Sequence, residues 1–107
     1  MPCSATWAQT DDVAVITLGG RLDETARTTV VNVLMEAVIR GWGDLDIDMT
    51  GVDFIDIDGV AALLEVRAWL SQRRRFLIRL SPATWQVLHH MSLPSGIDLI
   101  DPETSGP

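Results

Sequence analysis

Between Asp44 and Met49 polar and apolar residues alternate without a break: Leu45, Ile47 and Met49 point one way, Asp44, Asp46 and Asp48 the other. That pattern predicts a strand with one buried face and one wet face. A strand covered by helices on both sides reads instead as a continuous apolar run. Val13 to Leu18, rich in β-branched residues, predicts a second strand closed by Gly19-Gly20. Ser4 to Gln9 is expected to pair with it as a hairpin across Thr10-Asp11-Asp12. From Thr25 to Arg40 the period changes: Ala26, Val30, Val33, Leu34, Ala37 and Val38 recur on one face, as a core-facing helix requires. Asp23 and Glu24 suit its N-terminus and Gly41 its end.

After Asp58 a stripe of Ala62, Leu63, Val66, Trp69 and Leu70 predicts a second helix. Phe76 to Leu80 predicts the next strand. Ser81-Pro82 opens a third helix, with Ser as N-cap and Pro in its first turn, and an inner face of Trp85, Leu88 and Met91. Ile97 to Ile100 is a candidate last strand. The order β-β-α-β-α-β-α, with a further β, predicts a small α/β domain: a mixed sheet of four or five strands with helices on one face, joined by right-handed crossovers. One domain is expected over residues 1–107, with a core from about 4 to 100 and a loose tail from 101 to 107.

Composition narrows the function. The chain is 47% hydrophobic and 21% charged, outside the ranges of disordered and membrane-spanning chains. Its start has no basic end and no apolar segment, so no secretory signal is read and a cytoplasmic protein is expected. The lone Cys3 cannot form an internal disulfide. A net charge of −7 argues against nucleic acid, and Arg73-Arg74-Arg75 reads as a solvated helix end. All eight cations are arginine, so neither a P-loop nor Schiff-base chemistry has its lysine.

Catalytic and metal readings find little support. Carboxylates at alternate positions of a strand splay about 7 Å apart per step and cannot close on one ion, so Asp44, Asp46 and Asp48 read as a solvated face and no metal is expected. A receiver-type phosphoacceptor aspartate lacks its lysine. His89 and His90 are adjacent and face different ways on a helix. Ser71, Ser81 and Ser92 have no glycine elbow. The reading is a non-enzymatic protein without a cofactor. That leaves the acidic turn Asp56-Ile57-Asp58-Gly59, with Asp53 just before it, as the feature to explain.

Three stretches resemble the STAS family: GGRLDETA at Gly19 to Ala26, LDIDMTGVDFIDIDGVAALL at Leu45 to Leu64, and LIRLSPATWQVL at Leu77 to Leu88. These are the small domains of bacterial anti-sigma factor antagonists, also appended to sulfate transporters. The resemblance runs from about Val13 to Ile100 and implies partner switching. An antagonist of this kind binds an anti-sigma factor, often a kinase, and frees the sigma factor. Phosphorylation of a serine or threonine just before the second helix ends the complex. The matching position here is Asp58, and neither it nor Ile57 carries a hydroxyl. Asp58 then stands either as a fixed substitute for the phosphorylated residue or as a block to phosphorylation. It is also expected to cap the helix.

The resemblance implies a partner-binding set of Asp23, Asp53, Asp56, Ile57, Asp58 and Gly59, with Glu65 and Arg67 on the exposed face of the helix. Asp56 is expected to hold the loop by hydrogen bonds to backbone amides. Gly59 reads equally as close packing, free approach for a partner, or a turn. The partner would be a kinase-like anti-sigma factor, with no direct nucleic acid and no membrane insertion. The alternative is a STAS subunit docking on the ATPase of a membrane transport complex, and nucleotide binding is a third, weaker reading. An exposed tryptophan such as Trp42 would mark a self-association patch and a homodimer.

Overall fold

The structure, a computed structural model, describes residues 2–70 and 73–102. Five strands form one sheet in the order β1-β2-β3-β4-β5: β1 (Ser4–Thr10), β2 (Val13–Leu22), β3 (Asp44–Ile55), β4 (Phe76–Leu80) and β5 (Ile97–Ile100). Among the described strands only β1 is antiparallel to its neighbour. The helices are α1 (Arg27–Arg40), α2 (Ile57–Trp69) and α3 (Pro82–Leu88), with a 3-10 turn at Glu24–Ala26 leading into α1. The fold is the expected small α/β arrangement with a mixed sheet.

Register turns the alternation into a core. Trp7 lies opposite Ile16, Ile16 opposite Ile47, Ile47 opposite Ile78 and Ile78 opposite Leu99. One apolar row therefore crosses all five strands. Val30, Leu34 and Ala37 of α1 and Val60, Leu63 and Val66 of α2 complete the same core cluster. On the opposite face the row Ala8, Val15, Asp46, Leu77 and Asp98 is exposed or half-buried. The acidic residues there have local partners. Arg79 reaches Asp46 at 3.1 Å and Arg75 reaches Asp98 at 2.9 Å. Asp48 accepts from the amide and hydroxyl of Thr50, and Asp44 from the amide of Arg75.

Several expectations are corrected. Strand β2 does not close at Gly19-Gly20 but runs on to Leu22, because Gly20, at φ 79°, takes up a register shift against β3 that a β-branched residue would resist. Asp53, read with the acidic turn, lies within strand β3. Trp69 is 72% exposed: it ends α2, roughly 100° round the helix from Leu70. Met91 lies beyond the end of α3 and is 38% exposed. Arg74 is no solvated helix end: its Nη1 donates to Val38 O at 2.8 Å, in the last turn of α1, and its Nε to Gly43 O, just before β3, and burial lowers its pKa. Ser71 and the tail from 103 to 107 lie outside the described residues.

Ser81 caps α3 as expected. Its hydroxyl accepts from the Thr84 amide at 3.1 Å and donates to Val52 O at 2.6 Å, so it also joins α3 to β3. Both bonds are buried. Ser81→Ala should cost about 1–2 kcal/mol, read as a lower urea midpoint with an unchanged denaturant slope.

Candidate functional site

Strands β2 and β3 finish side by side, with Leu22 paired to Ile55. Each then enters a helical turn through an aspartate in extended conformation. Asp23 (φ −119°) caps the 3-10 turn by accepting from Thr25 N at 3.0 Å. Asp56 (φ −120°) caps α2 by accepting from Asp58 N at 2.9 Å and Gly59 N at 3.2 Å. Two helical starts thus open at one end of the sheet, each led by a carboxylate. The Thr25 hydroxyl, the first cause, holds the Asp23 carboxyl below the ordinary carboxylate value.

The capping residue is therefore Asp56, not Asp58. The reason is the backbone: Asp56 is the last extended residue, and its amide still donates to Leu22 O at 3.2 Å. Asp58 sits inside the first turn, where a side chain cannot reach back to cap but an anion still faces the positive end of the helix. Its Oδ1 lies 3.6 Å from Arg27 Nη1, and Glu65 Oε2 lies 3.8 Å from Arg27 Nη2. A single guanidinium at the start of α1 thus bridges two carboxylates two turns apart on α2. All three side chains are partly exposed, so the bridge is worth well under about 1 kcal/mol per pair. It orients the groups more than it stabilises the fold.

Gly59 is resolved as close packing. A Cβ there would stand 2.3 Å from Leu22 O and 2.8 Å from Ile55 Cγ1. Ile57, next to the cap, is 79% exposed. Ile57, Ala61, Leu64 and Ala68 follow one another at helical spacing along the outer side of α2, and all are exposed or half-buried. The stripe ends beside a cleft of about 420 Å³ between α2 and the Pro94–Gly96 turn. Arg67 leaves the expected exposed face: at 7% exposure it turns inward. Its Nη1 donates to Arg74 O, its guanidinium lies 5.6 Å from the Phe76 ring centre, and Gly96 leaves room for it.

The structure thus gathers Asp23, Asp56, Ile57, Asp58 and Gly59 at one end of the sheet, with Glu65 farther along α2 on the Arg27 side. Asp53 is exposed on β3, and Arg67 is withdrawn into the fold. Sequence reasoning missed Arg27, and also Arg21, which lies 4.0 Å above the Phe54 ring and 3.5 Å from Asp23. Arg27 has no local signal, since both its partners lie on α2; Arg21 has one in Asp23 two residues on, but its contact with Phe54 crosses to another strand.

The family model "Mlab, STAS domain" matches residues 5–99, most of the chain. The chain belongs to the STAS domain family. Among solved structures it is similar to an anti-sigma factor antagonist from Mycobacterium paratuberculosis, with a TM-score of 0.73 and 21% identity, over 83% of this chain and 77% of that one. It is also similar to the anti-sigma factor antagonist SpoIIAA in its unphosphorylated form, with a TM-score of 0.62 and 22% identity, over 92% and 88% of the two chains. At these identities the likeness is one of fold. No curated protein matches the STAS chain in sequence. Among its described residues no helix is long and apolar enough to cross a membrane.

Removing the Asp56 cap should cost about 1–2 kcal/mol in Asp56→Ala, whereas Asp56→Asn should stay near wild type. Urea titration of the two variants checks this. Gly59→Ala should lose about 1–3 kcal/mol by overpacking against the Leu22 carbonyl, seen as a lower melting temperature.

Proposed function

We propose that this STAS protein is a regulatory binding module of the anti-sigma factor antagonist type, docking on an anti-sigma factor through the start and outer side of α2. The observation that carries the reading is the apolar stripe of α2. A surface helix normally keeps the side away from its core polar. Here the outer side carries Ile57, Ala61, Leu64 and Ala68, exposed or half-buried, beside the acidic helical starts. Such a stripe with a charged rim has the composition of a protein-binding surface.

Asp58 stands where the family carries its phosphorylated hydroxyl, so the phosphorylation step is absent. Its single charge is already matched by Arg27 at 3.6 Å. A phosphoserine would bring about −1.5 to −2 and three acceptor oxygens. The protein is on this reading a non-phosphorylatable antagonist that remains competent to bind, rather than one held in the released state.

Capture from native cells tests the partner, and an anti-sigma factor is expected. A membrane transport ATPase captured instead would favour the alternative assignment. Titration of the captured anti-sigma factor tests the mechanism. Asp58→Ser should bind within a few-fold of wild type, and Ile57→Asp should weaken binding at least about tenfold, or 1.4 kcal/mol. Tighter binding by Asp58→Ser, by tenfold or more, would mean that the aspartate imitates the phosphorylated form.

A further inference from the structure

The two edges of the sheet are unlike. Edge strand β5 has four residues, and Asp98 within it is held by Arg75. Edge strand β1 has seven residues, Ser4-Ala5-Thr6-Trp7-Ala8-Gln9-Thr10, with neither charge nor proline among them. Among the described residues it is hydrogen-bonded along one side only, to β2. Long, uncharged edges are what monomeric sheet proteins ordinarily avoid, by shortening, charging or covering them.

We infer that β1 pairs with β1 of a second copy, antiparallel about a twofold axis at Trp7, to make one continuous ten-stranded sheet. An antiparallel edge is self-complementary: the same surface serves both copies. With the axis at Trp7, Thr6 of one copy faces Ala8 of the other, and the two tryptophans face each other. Each Trp7 is half-buried at the end of the apolar row that runs through Ile16, Ile47, Ile78 and Leu99. Pairing joins the two rows and supplies an aromatic cross-strand contact.

Among contacts between two copies, charge favours this edge. Two chains of −7 repel, so the contact that costs least is one without acids. Helix α1 lies over β1 and β2, and its end reaches the end of β1, where the Gln9 side chain bonds the amide and carbonyl of Trp42. Arg27 turns one flank of α1 toward α2, so by helix geometry Thr29, Val33, Glu36 and Arg40 line the opposite flank, above the open edge. The Glu36–Arg40 ion pair on that flank is neutral within one chain, so it adds no net charge beside the edge. The α2 surface lies over the other half of the sheet, so this pairing is independent of the proposed docking site.

The test is sedimentation of the full chain over a wide concentration range. The wild-type mass should rise toward that of a dimer. Thr6→Lys/Ala8→Lys sets like charges opposite each other across the axis and should remain monomeric with an unchanged circular dichroism spectrum. Thr6→Lys/Ala8→Glu sets opposite charges face to face and should dimerise again. Hydrogen exchange on the wild type needs no variant: amides between Ser4 and Thr10 should exchange more slowly at high concentration. A wild type that stays monomeric, a Lys/Lys variant that dimerises like the wild type, or β1 amides equally protected at both concentrations would overturn the inference.

Discussion

One close approach organises the site. The amide of Asp56 donates to the carbonyl of Leu22, and Gly59 packs its bare Cα beside that same carbonyl. The end of β2, the end of β3 and the start of α2 are thereby held in one place. A side chain at Gly59 would drive the helix away from the strand. Ile57 and Asp58, in the proposed docking surface, take their position from this junction.

The charge distribution follows from the sheet. Most carboxylates of the acidic runs are used within the fold. Asp23, Asp48 and Asp56 satisfy backbone amides, and Asp46 and Asp98 meet arginines on the open face. What looks like a surplus of negative charge along the chain is largely committed. Asp58 is different, because its partner Arg27 belongs to another helix and both groups remain partly exposed. Such a pair contributes little to stability and can exchange partners at small cost. That is the property a docking surface requires.

Much of the architecture was legible before any coordinate. Alternation at Leu45, Ile47 and Met49 announced a sheet with one wet face, because a strand's side chains must alternate. Ser81-Pro82 announced a helix start, because capping chemistry is local. Less legible were the places where two elements compete for one residue. Asp56 and Asp58 are equally good caps by composition, and only the path of β3 decides which is the last extended residue. Trp69 fitted an apolar stripe, yet the edge of a helix face has no fixed limit until its neighbours are in place. Arg67 resembled a surface arginine, but Arg74, Phe76 and Gly96 form a slot that draws it in.

Sequence by itself therefore determined the α/β class, the wet and dry faces of the sheet, the likeness to the STAS family and a side chain without a hydroxyl at position 58. These depend on spacing, on capping and on residue identity, all of which are written along the chain. Tertiary structure alone decided that Arg27 compensates Asp58, that Arg67 turns inward, that Gly59 is there for packing and that an uncharged β1 is left open at one edge. Those facts arise where residues distant in sequence meet. Their energies depend on distances of a few ångströms that no linear pattern encodes.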